Sequence, residues 1–343
     1  MTKPARISYG IMVVLLVLIG WLHMATLFLT VLFGYFALHF LSFGRSKLLA
    51  VALYLIGVAG IGYGLFFFSR QAYKTLPEIA DTTIPAVVNF AEQKGILLPF
   101  SDYASAKTLA LEEVKERIAN FGRYAREATI QVAMLIIGLV VALSLFINAK
   151  WEMEDDPDAV KDSLYATVMG QLVTRVQTFY ASFARVIGAQ IVISTINTAL
   201  TAAFLLWNHY PYETVIIVLT FLCGLLPIIG NILSNTLIVG IGFVVSPRMA
   251  LIALIFLVLI HKLEYFLNSK IVGDRIKNPM WLTLIALVLG EELMGVPGMI
   301  LAPVVLHYIK VEASRNKVNE TGPEATDLAE PARKPDARPL GKP

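Results

Sequence analysis

A histidine, a glutamate and an asparagine lie in one apolar stretch, at positions that a helix brings to a single face. His261, Glu264 and Asn268 are spaced by three and four residues. A carboxyl withdrawn from water favours its neutral form, so Glu264 could exchange a proton or hold a cation. We therefore assign these residues to an ion or solute pathway, with Arg275 at its edge. Alternatively, Glu264 lies at the end of the stretch and pairs with Lys262 or Arg275.

A second polar face lies earlier in the chain. Gln190, Ser194, Asn197 and Thr201 are spaced by four, three and four residues in an apolar segment. Such a face either lines an aqueous path or hydrogen-bonds neighbouring helices. A hydrogen bond between membrane helices averages only about 0.6 kcal/mol, so helix association is a weak reason to keep four such residues. Both interpretations stay open.

Two long apolar runs are each interrupted near their middle. Broken helices expose free backbone groups that can bind ions or polar solutes, and paired interruptions are typical of transporter binding sites. The first break offers Asn231, Ser234 and Asn235 as pathway residues, with Pro227 and Gly230 as structural breaks. The second offers the structural breaks Gly295, Pro297, Gly298 and Pro303, next to Glu291 and Glu292.

Signatures of enzymes are missing from the chain. It has no phosphate loop of the G-x-x-x-x-G-K-[ST] type, no H-E-x-x-H and no G-x-S-x-G. Its single cysteine, Cys223, lies in an apolar run, where a thiol is poorly reactive. The sequence therefore predicts no catalytic residue, no metal site and no enzyme activity.

Composition places these residues in a membrane. Of 343 residues, 57% are apolar and 15% are charged, and the mean hydropathy is +0.70. Soluble domains carry about 25% charged residues, so a water-soluble enzyme is excluded. The net charge of +3 is small and scattered, which argues against nucleic-acid binding.

The polarity pattern divides the chain into six parts. It predicts an N-terminal transmembrane hairpin and third span (1–69), an extramembrane helical arm (70–127), a transmembrane helix (128–149), a cytoplasmic amphipathic segment (150–185), a transport core (186–310) and a disordered cytoplasmic tail (311–343). The fold class is an all-α polytopic membrane protein with about six full transmembrane helices. The hairpin is expected to turn near residues 21–23, with both ends cytoplasmic.

The interrupted runs admit two topologies. If each is a re-entrant helical hairpin, six crossings result and the basic residues Lys270, Arg275 and Lys277 are cytoplasmic. If each is one kinked span, the chain crosses eight times and those residues are external. The positive-inside rule favours the hairpins, whose tips would approach the midplane from opposite faces.

Three motifs follow one another in the C-terminal half: LLPIIGN at 225–231, LEYFLNSKIVGDR at 263–275 with Pro279, and GVPGMILAP at 295–303. In order, spacing and surrounding hydropathy they resemble the autoinducer-2 exporter family of bacterial permeases, over about residues 185–310. The chain departs from the family pattern in two places. Ser269 replaces a frequent proline, and Glu291-Glu292 replaces Gly, Lys or Gln, which bears on the solute and the coupling ion.

The resemblance implies a homo-oligomeric protein of the bacterial inner (plasma) membrane with no ATPase of its own. Family members are associated with export of autoinducer-2, a small polar furanone-type sugar derivative, and others with Na⁺(Li⁺)/H⁺ antiport. The family's proline-glycine tip falls on Pro227 and Gly230, its Glu and Asn on Glu264 and Asn268, and its terminal motif on Gly295, Gly298 and Pro303.

We therefore expect a secondary transporter that exports a small polar solute by alternating access, with H⁺ or Na⁺ as the coupling ion and no cofactor. The lipid bilayer and the solute, or a monovalent cation, are its expected partners. A Na⁺(Li⁺)/H⁺ antiporter is the first alternative. A membrane scaffold that docks partners on its extramembrane segments is the alternative from another class.

Overall fold

The described part of the chain is built of helices. The computed structural model describes residues 2–42, 46–95, 121–148, 163–226, 229–272 and 279–315, where no strand occurs. Ten helices occupy these ranges: α1 Lys3–Trp21, α2 Ala25–Ser42, α3 Lys47–Gln93, α4 Phe121–Ile147, α5 Leu164–Trp207, α6 Glu213–Gly224, α7 Ile229–Val245, α8 Pro247–Val272, α9 Met280–Met294 and α10 Val296–Arg315. The predicted all-α class is confirmed. Most of the predicted tail, from residue 316 onward, lies outside the described residues.

Six helices of the described segments are long and apolar enough to cross a bilayer, namely α1, α2, α3, α4, α5 and α10. This confirms a polytopic membrane protein. The first two are separated by a tight turn in which His23 has φ of 53°, at the predicted position. By contrast, α6 has 12 residues, about 18 Å, and is too short for a hydrocarbon core of about 30 Å.

Both interrupted runs fold back as helical hairpins. Helix α6 packs against α7, and α9 packs closely against α10. Between α9 and α10 the chain turns at Gly295, whose φ of +64° favours glycine. Gly290 then lies directly against Gly298, and Leu287 and Met299 are buried together beside them. The alternative in which each run is one kinked span is not the observed packing.

The crossing of α9 and α10 gives a first prediction. A Cβ added at Gly290 would lie 2.5 Å from the carbonyl oxygen of Gly298. Gly290→Ala must therefore push the two helices apart, and we expect a loss of about 1–3 kcal/mol, as in other overpacked sites. Thermal unfolding of the detergent-solubilised protein measures it. The matched control is Gly170→Ala in α5, where a Cβ meets no atom within 4 Å. An unchanged Gly290→Ala protein would contradict this packing.

Helices α3 and α5 are much longer than a bilayer is thick. They have 47 and 44 residues, so they extend about 70 and 66 Å. The first half of α5 packs with α1, α2 and α10 through Phe179 and Phe183. Its end, at Leu205, packs with α6, α7 and α8, as does Ile79 in the second half of α3. The two long helices therefore connect two groups of packed helices.

Two segments predicted to lie outside the membrane are continuous with long helices. The described start of the arm is the second half of α3, where Thr83 contacts Gly240 and the ring of Phe90 packs at a tilt against that of Phe243 of α7. Residues 96–120 of the arm lie outside the described residues. The amphipathic stretch 164–183 is not a separate surface helix, because it continues without a break into the rest of α5.

Arg175, which lies in that amphipathic stretch, is buried in an ion pair. Its Nη1 lies 3.4 Å from Glu312 Oε1 in α10, and its Nε donates to Ser8 Oγ of α1 at 3.0 Å. Tyr9 donates its hydroxyl to Glu312 Oε2 at 3.1 Å. Both Arg175 and Glu312 are 8% exposed. The apolar spacing was read correctly, but it did not reveal a charged partner more than a hundred residues away.

Candidate functional site

Glu264 is held by side-chain amides from two other helices. Asn231 Nδ2 of α7 donates to Oε1 and Oε2 of Glu264 at 2.9 and 2.7 Å. Asn197 Nδ2 of α5 donates to Oε2 at 3.3 Å. Three N–H contacts aimed at one carboxyl group fit its ionised form, which only accepts hydrogen bonds. The structure thus brings together three residues that the sequence placed in the pathway.

The carboxyl group of Glu264 faces a small, partly open polar cleft between four helices. Its lining combines hydroxyls, amides, one imidazole and a few apolar side chains: Asn197 and Thr201 from α5, Thr220 and Gly224 from α6, Asn231, Ser234 and Asn235 from α7, and Leu257, Ile260, His261 and Glu264 from α8. This surface offers hydrogen-bond donors and acceptors for a small polar solute, and oxygen atoms for a monovalent cation.

The break between α6 and α7 places opposite helix ends beside this cleft. Gly224, the last residue of α6, lines it, and Asn231 belongs to the first turn of α7. The positive amino end of a helix stabilises a nearby anion, and the negative carboxyl end stabilises a cation. Gly230 is needed at this close approach, because a Cβ there would collide with the carbonyl of Cys223.

Two residues of the predicted polar face hold this break in place. Gln190 Nε2 donates to the carbonyl of Gly224 at 2.6 Å, and Ser194 Oγ donates to the carbonyl of Phe221 at 2.9 Å. Both acceptors belong to the last turn of α6, where helix carbonyls have no partner within the helix. For Gln190 and Ser194 the structure therefore shows helix-to-helix hydrogen bonds, whereas Asn197 lies at the cleft.

This geometry predicts a moderate loss of stability for Ser194→Ala. Ser194 is 1% exposed, so its removal leaves the Phe221 carbonyl without this donor, at a cost of about 1 kcal/mol. Thermal unfolding in detergent checks the value. Thr195→Ala is the control, because exposed Thr195 bonds only the Ile191 carbonyl of its own helix. Equal losses in both variants would contradict a specific role for Ser194.

The second break is not part of this cleft. No described residue of α9 or α10 lines it, although Gly295, Pro297, Gly298 and Pro303 shape the α9–α10 hairpin. That hairpin packs against α1, α2 and α5, with Met294 against Gly20. In the described packing, therefore, only the first break lies beside Glu264. Glu291 and Glu292 are exposed.

The remaining residues predicted for the pathway and the breaks are placed as follows. His261 lines the cleft and is largely exposed. Pro227 and Arg275 lie outside the described residues, and for Asn268 only the helical backbone is described. Thr220 was missed by the sequence analysis. Its position four residues before Gly224, one turn above the break, is the signal that could have identified it.

Comparisons with known proteins agree with a transport role. The family model described as "AI-2E family transporter" matches residues 6–314. "Putative transport protein YdbI" of Bacillus subtilis (strain 168) is 27% identical over 142 residues, which are 40% of this chain and 41% of that protein. "Putative transport protein YueF" of the same organism is 33% identical over 101 residues, 29% of this chain and 27% of that protein. The aligned regions thus span less than half of either curated relative.

The match to the family model extends from α1 to the last turn of α10 and includes the cleft with Glu264. It also covers all six helices that are able to cross a bilayer. Because the match covers nearly the whole chain, this multi-pass membrane protein belongs to the AI-2E family of transporters.

Proposed function

We propose that the protein is a secondary transporter of the bacterial inner membrane that exports a small polar solute of the autoinducer-2 type. Transport is coupled to H⁺ or Na⁺ through Glu264, by alternating access, in a homo-oligomer. The observation that carries this proposal is the carboxyl group of Glu264, which lies in a polar cleft and is tied to the broken α6–α7 hairpin by Asn231. Family membership favours transport over the scaffold alternative.

The contact to Asn231 supplies a physical basis for coupling. An ionised Glu264 accepts two hydrogen bonds from one amide nitrogen, whereas a protonated carboxyl has fewer acceptor sites. Proton uptake would therefore weaken the attachment of α7 to α8. A cation that competes with the proton for the same carboxyl group would also weaken this attachment, but with a different arrangement of the groups around the carboxyl. Either event changes the balance between two arrangements of the α6–α7 hairpin.

A Na⁺(Li⁺)/H⁺ antiporter is the second candidate function. It is favoured by the oxygen atoms around Glu264. Thr220 donates its hydroxyl hydrogen to the Ile216 carbonyl, and Ser234 donates to the Asn231 carbonyl, so each hydroxyl oxygen keeps lone pairs for a cation. Broken helices in transporters coordinate Na⁺ with such groups and with the carboxyl ends of half-helices.

Reconstitution into liposomes separates the two functions. Vesicles that contain a pH dye receive external Na⁺ in one experiment and labelled autoinducer-2 under a pH or Na⁺ gradient in another. Antiport predicts a protein-dependent pH change with Na⁺ alone. Solute export predicts autoinducer-2 flux that is lost when the gradients are dissipated. Folded protein that does neither would refute both proposals.

A further inference from the structure

Asn197 contacts Glu264 through only one end of its side-chain amide. Its Nδ2 lies 3.3 Å from Glu264 Oε2, longer than either contact from Asn231. Asn197 is 7% exposed, and its Oδ1 is buried with no hydrogen-bond partner among the described residues. A buried acceptor left in this way is unfavourable, because no hydrogen bond offsets its removal from water. The Asn197 amide that donates to Glu264 therefore also has an acceptor oxygen, Oδ1, that is not used.

The two protonation states of Glu264 need different partners at this position. An ionised carboxylate only accepts, whereas a protonated carboxyl has one O–H to donate. Asn231 offers an N–H to both oxygens of Glu264. A half-turn of the Asn197 amide exchanges Nδ2 for Oδ1, which have nearly the same size, and supplies the missing acceptor. No additional volume is required for this rotation.

We propose that Asn197 is the positioning residue that binds Glu264 in both protonation states, as a donor to the carboxylate and as an acceptor from the acid. The contact between α5 and α8 then persists through the proton cycle, while Asn231 of α7 loses part of its attachment on protonation. This rests on the proposed function of Glu264 as the coupling carboxyl group. It identifies α5 as the fixed side of the cleft and α7 as the side whose attachment to Glu264 changes.

One other titratable group faces the cleft among its described lining residues. The residues from α5, α6 and α7 are neutral amides, hydroxyls and glycine, and α8 adds His261 besides Glu264. A pH response that survives His261→Gln does not arise from His261, which leaves Glu264 among the described lining residues. This variant is included in the experiment below.

Exchanging the two side chains across the contact tests the proposal. Asn197→Asp alone sets two carboxyl groups against each other, so one retains its proton to higher pH and coupled flux shifts to more alkaline pH. Glu264→Gln alone loses coupled flux. The double variant moves the carboxyl group to α5 and keeps an amide opposite, so the contact between α5 and α8 returns, while coupled flux, which needs a carboxyl group against Asn231, stays lost. The control pairs Glu264→Gln with Asn235→Asp, whose amide lines the cleft without a hydrogen bond to Glu264 among the described contacts, and it does not restore the contact between α5 and α8.

Thermal unfolding in detergent tests the same contact without transport. The unfolding temperature of Asn197→Asp falls below that of wild type as the pH rises. In the double variant, called the exchange variant here, the unfolding temperature does not fall in this way. If the exchange variant unfolds as early as Asn197→Asp, the proposal is wrong, whatever the flux. If the exchange variant recovers stability while wild type shows no coupled flux, the proposed function fails and the pairing of Asn197 with Glu264 stands.

Discussion

Glu264→Gln is expected to remove the coupled proton movement while the protein stays folded. Glutamine has the shape of glutamate but neither ionises nor carries a proton. One of the two contacts from Asn231 would then meet an amide nitrogen in place of an acceptor oxygen. A hydrogen bond to a charged group is worth about 1.5–3 kcal/mol, so the attachment of α7 to α8 weakens by up to about that amount.

The measurement is the pH change inside dye-loaded liposomes after an ion or solute gradient is imposed. Glu291→Gln is the matched control, because Glu291 is an exposed carboxylate on α9 and does not line the cleft. Its flux should equal that of wild type. Coupled flux of normal size in Glu264→Gln would exclude this carboxyl group as the coupling residue. A loss in both variants would point to a general effect of surface charge.

Periodicity and composition were sufficient to predict the helical class and the two interrupted runs. Polar residues at helical spacing in apolar segments are rare, so Glu264, Asn197 and Asn231 were identifiable as candidates from the sequence. Predicting that they contact one another requires knowledge of how α5, α7 and α8 pack. Asn231 is 33 positions from Glu264 in the sequence, and Asn197 is 67 positions from it. Hydropathy carries no information on that packing.

Hydropathy also did not predict that α5 is one continuous helix. The sequence divides α5 at residue 185 because polar residues precede it, but the helix is continuous from Leu164 to Trp207. Nothing in the local sequence stops it, since no proline or glycine pair interrupts this region. Gln190 and Ser194 show a related limit. Their spacing marked a polar face, but only the structure shows that they bind the end of α6.

Arg175→Met is expected to cause the largest loss of stability. It removes the guanidinium group from Glu312, which remains buried at 8% exposure with Tyr9 as a hydrogen-bond donor. Breaking a buried ion pair by removing one partner typically costs about 3–5 kcal/mol, because the other charge stays desolvated. The guanidinium also stacks 3.3 Å from the centre of the Tyr9 ring, a contact that methionine only partly replaces.

Thermal unfolding of the detergent-solubilised protein measures this loss, and a second substitution identifies its cause. If the desolvated charge is responsible, adding Glu312→Gln to Arg175→Met must recover part of the stability, since the double variant buries no net charge. If lost packing is responsible, the second substitution adds a further loss. Arg185→Met, ten residues along α5 and exposed, is the control and should change stability by no more than about 0.5 kcal/mol. Equal losses at Arg175 and Arg185 would show that the ion pair does not hold α1, α5 and α10 together.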